Sequence, residues 1–226
     1  MTVLDDVALA AGAGDVLAIV GPSGCGKSTL LELLCRLRTP DAGTVAGQRA
    51  VLMPQHDALL DWLDAAGNAA LPLRIAGIGS GEARARAVAM LGELGLGAAA
   101  SKRPWQLSGG MRQRVAFART LLSGAPVLCL DEPFGALDAI TRAAAQRWLA
   151  GVLAREARTV VLVTHDVEEA ALLADRIVVL SPTPGRVTAE LTVAAPRPDG
   201  GRTVTDEAVV TARTAALAAL GEAVVA

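Results

Sequence analysis

Apolar and polar positions along the chain alternate between two regimes. Short, nearly continuous apolar runs occur at Val16–Val20, Val51–Met53, Val127–Leu130, Thr159–Val163 and Ile177–Leu180. They have the length and β-branched content of strands buried on both faces. Between them lie longer stretches with helical spacing, at Leu30–Leu37, Ala139–Arg155 and Asp206–Ala219. Thr39-Pro40-Asp41-Ala42-Gly43 breaks the first of these. From Asp64 to Leu122 alanine, leucine and arginine dominate, so this stretch is expected to be mainly helical, interrupted at Pro72 and at Gly77–Gly81. Strands alternating with helices predict an α/β fold on a parallel sheet with right-handed crossovers.

Beyond Ser181 the pattern weakens into Pro- and Gly-containing sequence before the last helix, and no internal repeat is present. The length, 226 residues, suits one compact domain carrying a sub-domain. A core is available, because 52% of residues are apolar before the 23 glycines are counted.

Charge changes the picture mainly by exclusion. With 21 basic against 23 acidic residues there is no broad positive footprint, so nucleic acid is not expected as a partner. Lys27 and Lys102 are the only lysines. Cys25, Cys35 and Cys129 have neither disulfide nor ligand spacing and read as reduced apolar residues of a cytosolic protein. No apolar run reaches the roughly 18–20 residues of a membrane span, so any membrane part must come from a partner.

The chemistry begins where the first strand ends. Gly21-Pro22-Ser23-Gly24-Cys25-Gly26-Lys27-Ser28-Thr29 fits G-x-x-x-x-G-K-S between a strand and a helix, the context a phosphate-binding P-loop requires. Its glycines let backbone N–H groups converge on phosphates, and the helix start adds positive potential. Lys27 reaches the outer phosphates, and the Ser28 hydroxyl is a ligand for Mg²⁺. The second requirement is Asp131-Glu132 after the run Val127–Leu130. Alone, an Asp-Glu pair is an ordinary solvated turn. Behind a buried strand and beside a P-loop, Asp131 is placed to hold Mg²⁺ and Glu132 to polarise an attacking water.

Leu107-Ser108-Gly109-Gly110-Met111-Arg112-Gln113-Arg114 resembles the signature motif of the ATP-binding cassette family, and nearly the whole chain resembles the nucleotide-binding subunit of such a transporter. Gln55 matches its Q-loop glutamine, Gly135-Ala136-Leu137-Asp138 its D-loop, and Thr164-His165-Asp166 its switch-histidine region, in the family's order. The resemblance implies a RecA-like P-loop core, a small antiparallel β region and a helical signature sub-domain. It places one cassette over residues 1–226, with a helical part at about 64–122 and a C-terminal extension at 182–226.

The same resemblance implies an ATPase driving transport. Two copies would pair head to tail, so that ATP and Mg²⁺ on one P-loop are covered by Ser108, Gly109 and Gly110 of the other. Gln55 would sense the metal and the water, His165 would hold the γ-phosphate, and Asp138 would link the two sites. Implied partners are transmembrane permease subunits and, indirectly, a solute-binding protein, with the chain peripheral on the inner face of the membrane.

Ala58-Leu59-Leu60-Asp61-Trp62 with Asn68, Met111 after the signature glycines, Ser181-Pro182-Thr183-Pro184-Gly185-Arg186-Val187 and Pro196-Arg197-Pro198 resemble the importer branch for nitrate, sulfonates and taurine, shared with pyrimidine-precursor ATPases. The alternatives are an exporter or other non-uptake cassette, or a weakly hydrolysing assembly module. Departures from the family pattern carry expectations of their own. No aromatic precedes Trp62 to stack on adenine, Met53-Pro54 precedes the glutamine, Asp61 stands where the branch has proline, and the Lys27–Gln55 spacing is short. ATP is therefore expected to be held chiefly by its phosphates. Trp62 is either core or an anchor for the permease.

Overall fold

The computed structural model describes residues 2–135, 137–155, 158–195 and 201–225. Ala136 of the D-loop match and Pro196-Arg197-Pro198 lie outside the described residues. The described residues group into two compact units. One comprises the chain up to Leu52, Pro126–Glu132 and the chain from Ala143 onward; the other comprises Met53–Ala125 and Pro133–Arg142.

The first unit is organised by a six-stranded sheet. Its strands are β1 (Val16–Val20), β2 (Ala50–Met53), β3 (Val127–Asp131), β4 (Thr159–Thr164), β5 (Arg176–Leu180) and β6 (Val187–Thr192), in the spatial order β2-β3-β4-β1-β5-β6. β3, β4, β1 and β5 pair in parallel, and β6 closes the edge antiparallel to β5. Every residue of β1 is buried, as continuous apolar runs require in a sheet covered on both faces. Leu17, Ile19, Cys129, Val161, Val163, Val178 and Leu180 meet Leu30 and Leu31 of α1 (Lys27–Leu34) in the core.

The sequence leads to β6 being overlooked, because its residues alternate half-buried and exposed, with Thr188 and Glu190 outward. Pairing with β5 makes it a strand. Residues 2–13 form no strand; Leu4 makes a single bridge to Gly185.

Helix α1 starts earlier and ends earlier than its apolar spacing suggests. Gly26, in the left-handed region at φ 101°, turns the chain into it. At the other end Arg36 takes φ 57°, with its N–H on Leu33 and the Leu37 N–H on Glu32. This is the helix-terminating geometry usually supplied by glycine, so no glycine marked the stop.

The second unit is built of α2 (Ala65–Ile75), α3 (Ser80–Glu93) and α4 (Gly109–Leu122). Pro72 does not interrupt α2, contrary to expectation. The helix is held by packing instead: Ala65, Ala66, Ala69, Ala70 and Leu73 are buried, and α2 packs against α4. Small side chains let the backbones approach, and burial outweighs one missing backbone hydrogen bond. Asp64 caps α2, accepting from the Gly67 N–H at 2.7 Å. The stop comes at Gly77, φ 84°, with the Gly77 and Ile78 N–H groups returning to Arg74 and Leu73.

The remaining helices are α5 (Ala139–Arg155), as expected, α6 (Val167–Leu173), which the sequence pattern did not mark, and α7 (Glu207–Val225), longer than expected. α6 is only seven residues long and exists through Asp166, whose carboxylate accepts from the Glu168 and Glu169 N–H groups. Among the described residues no helix is long and apolar enough to cross a membrane.

Candidate active site

In the first unit, β1 delivers Gly21 and α1 begins at Lys27, so the P-loop lies at the carboxyl end of the parallel sheet, where such sheets bind ligands. A Cβ on Gly21 would lie 2.8 Å from the Cys25 sulfur and 3.1 Å from the Leu180 carbonyl. One on Gly26 would lie 2.7 Å from the Leu4 side chain. The loop therefore closes only with glycine at these positions. Lys27 is 6% exposed, and its Nζ donates to the Gly21 carbonyl at 2.8 Å and the Pro22 carbonyl at 3.0 Å. An ammonium has three donors, so this posture aims the group and leaves one for an anion.

β3 and β4 add the remaining groups. Asp131 is 8% exposed and hydrogen-bonds the Ser28 hydroxyl. Burial pushes its carboxyl above the usual range, a rise that the Ser28 bond and the Lys27 charge oppose and the Glu132 charge reinforces. One buried carboxylate beside one hydroxyl fits a magnesium ion, which takes oxygen ligands and uses few from protein. Among the described residues no three His, Cys, Asp or Glu side chains converge to form a metal cage.

Glu132 adopts φ 43°, a strained conformation for a residue with a side chain, and its N–H is fixed to the Val163 carbonyl at 2.8 Å. The turn presents its carboxylate to His165, with Oε1 3.2 Å from Nδ1. An imidazole donating through Nδ1 directs Nε2 outward. The Thr164 hydroxyl donates to Glu169 Oε2 at 3.0 Å and accepts from the Asp166 N–H at 3.0 Å, which fixes the chain on both sides of His165.

Two elements against the P-loop were not singled out as phosphate-site residues by the sequence. The Thr183 hydroxyl donates to the Gly24 carbonyl at 2.8 Å. A Cβ on Gly185 would stand 2.2 Å from the Cys25 carbonyl. The Ser181–Val187 segment is thus a buttress of the loop. A contact across so many residues leaves no local pattern to read.

In the second unit, Ser108 caps α4, its hydroxyl accepting from the Met111 N–H at 3.3 Å. Gly109 and Gly110 form the first turn, and a Cβ on Gly110 would lie 3.0 Å from Thr141. The first turn carries no acidic residue, so the helix start is a bare donor array for an anion. Gln55 is exposed and lines a polar cavity of about 180 Å³ with Asp57, Gly109, Arg112 and Gln113. Asp138 caps α5, accepting from the Ile140 and Thr141 N–H groups, each at 3.1 Å; its bond to Thr141 holds its carboxyl below the usual range. Trp62 is 69% exposed, which removes the reading of it as core. Trp105, which no local pattern singles out, is 68% exposed and carries the Arg103 guanidinium 5.9 Å from its ring centre.

A strand-P-loop-helix, a buried Asp at the end of β3, one strand removed from β1, and a Glu-His pair beside it define a P-loop nucleotide hydrolase. Residues 4–135 match the family model for ABC transporters. The chain is 47% identical over 199 residues to the taurine import ATP-binding protein TauB of Sinorhizobium fredii, covering 84% of this chain and 74% of that one. It is 48% identical over 189 residues to the aliphatic sulfonates import ATP-binding protein SsuB 1 of Agrobacterium fabrum, covering 82% and 67%. Among solved structures, the ATP-binding cassette MJ0796, a post-hydrolysis dimer bound to ADP and phosphate, is similar at TM-score 0.73 and 31% identity, covering 85% of this chain and 91% of that one. The chain belongs to the ABC transporter family. Its nucleotide is ATP, and its chemistry is ATP hydrolysis.

Proposed function

We propose that this chain is the ATPase subunit of an importer for a small organic sulfonate, a single cassette that works as a head-to-tail pair beneath separate permease subunits. Its relatives named for taurine and aliphatic sulfonate import support the solute class. Nitrate-like and pyrimidine-precursor solutes belong to the same branch. The pair would be peripheral on the cytoplasmic face of the membrane, with a solute-binding protein delivering the cargo outside. The exposed Trp62 supports docking of a permease helix along residues 55–62.

The observation that carries the ATPase reading is the convergence of Lys27, Ser28, Asp131, Glu132 and His165 in the sheet-based unit. Backbone donors of Gly24–Thr29 and the Lys27 ammonium bind the phosphates. Ser28 and Asp131 would hold Mg²⁺, which when bound would neutralise phosphate charge. Glu132 takes the proton of the attacking water as general base, and the Nδ1 hydrogen bond from His165 orients its carboxylate. His165 Nε2 then faces the γ-phosphate. Gln55 would help place the water and the metal. Ser108, Gly109 and Gly110 of the partner cover the γ-phosphate with a hydroxyl and close-approaching N–H groups. Asp138 acts between the two sites.

Mixing Lys27→Ala chains with Ser108→Arg chains tests the shared site. Each variant alone has none intact, whereas a mixed pair has one, so ATPase activity reappears on mixing. Continued inactivity of the mixture would exclude composite sites.

A further inference from the structure

The segment that follows Gln55 is not a loose tether. Arg119, on the third turn of α4, donates through Nη1 to the Ala58 carbonyl at 2.7 Å and through Nη2 to the Asp57 carbonyl at 2.6 Å. Ala58 sits at φ 46°, in the left-handed region that an alanine avoids. The same turn is gripped from its other side, as Arg112 Nε donates to Asp57 Oδ2 at 2.8 Å and the Leu59 N–H to Asp57 Oδ1 at 3.3 Å. Downstream, the fully buried Asn68 of α2 accepts from the Leu60 N–H at 2.7 Å and donates to the Leu60 and Leu63 carbonyls. A planar guanidinium bridging two consecutive carbonyls selects one backbone shape, which a point-charge ammonium does not. Burial also draws the guanidinium below its ordinary pKa, a drift the Asp57 charge opposes.

We propose that Arg119 is a positioning residue for ATP hydrolysis: its two-carbonyl clamp holds the strained turn at Ala58 and thereby sets the place of Gln55 relative to the start of α4. The consequence is that the Gln55 segment and Ser108–Gly110 shift together as parts of one helical unit. This rests on the part in catalysis given to Gln55 above.

Four variants of the full-length chain test it: Arg119→Met, Arg119→Lys, Ala58→Gly and Gln55→Ala. Arg119→Met should lower kcat about tenfold or more, the scale of a small misplacement of a catalytic group, with KM for ATP unchanged. Arg119→Lys should fall between it and wild type. Amide exchange over residues 57–63 should rise in both. Combined with Arg119→Met, Ala58→Gly should restore most of the loss, because glycine adopts φ 46° without strain. Arg119→Met and Gln55→Ala together should be no slower than Gln55→Ala alone, the non-additivity of groups acting in series.

Wild-type kcat in both Arg119 variants would overturn the proposal. So would a loss that multiplies with Gln55→Ala, or one that Ala58→Gly leaves untouched while the melting temperature falls, which marks a merely structural arginine. Wild-type kcat in Gln55→Ala would overturn the role given to Gln55; a glycine-rescued loss in Arg119→Met would still support the clamp.

Discussion

In the proposed function the two units handle phosphate in opposite ways. In the sheet-based unit the central charged groups are buried, Lys27 at 6% and Asp131 at 8% exposure and each held by partners within the site, while Ser28 and His165 stand exposed at its mouth. Glu132 is kept in a strained backbone conformation by β4. In the helical unit the groups proposed to act, Gln55, Ser108 and Asp138, are exposed, and what is buried is the apparatus that shapes them, such as Asn68 and the alanine face of α2. A site that must stabilise charge during bond breaking benefits from fixed, desolvated groups. A surface that must engage and release another chain keeps its donors in water and invests its hydrogen bonds in shape.

The comparison is broken most directly at Glu132. Glu132→Gln keeps the size of the side chain and its tie to His165 but cannot take a proton, so turnover should fall by at least about 10²-fold, the lower range for loss of a general base. Single-turnover hydrolysis measures this, with nucleotide binding retained. Hydrolysis near the wild-type rate would remove Glu132 from the mechanism.

Gly185→Ala sharpens the contrast, since the sheet-based site should tolerate no added volume. Its Cβ would stand 2.2 Å from the Cys25 carbonyl, a backbone atom that cannot swing aside. Overpacking of this kind costs about 1–3 kcal/mol. Because the displaced atom belongs to the P-loop, ATP affinity should fall along with the melting temperature. The exposed Gly81, whose Cβ would meet nothing within 4 Å, is the control in the helical unit.

The smallest expected effect lies at Asp64. It caps α2 and pairs with Arg84, whose Nη1 and Nη2 stand 3.0 and 2.5 Å from the carboxylate. The bond to Arg84 holds the Asp64 carboxyl below its usual value. A depressed acid contributes stability above its unfolded pKa, about 3.9, and loses it as pH falls through the lower folded value. The helical unit should therefore weaken below about pH 4, and Asp64→Ala should remove that dependence. At neutral pH the substitution costs about 1 kcal/mol, mostly the cap, because Arg84 is half exposed and screened. Urea titrations from pH 3 to 7 with a reporter on Trp105 would follow it; a pH profile identical to wild type would refute the assignment.

The chemistry-bearing residues were legible because each kind sits at a fixed offset from a strong local signal. G-x-x-x-x-G-K-S follows five apolar residues, Asp131-Glu132 follows four, and both ends of α5 show in its pattern. A buried parallel strand must be continuously apolar, and a P-loop must have glycines where backbone crowds it, so solvent exclusion and sterics write those elements into the chain directly.

What only the tertiary structure decided has no local cause. Pro72 stays inside a helix because α4 packs against α2. β6 is a strand because β5 offers it partners. Thr183 and Gly185 shape a P-loop far away in sequence, and Arg119 holds the carbonyls of a turn in a different segment of its unit. In each case the energy lies in a contact between distant residues. The sequence alone determined which groups are proposed for the phosphate chemistry; long-range packing and hydrogen bonding determined the shape in which they are held.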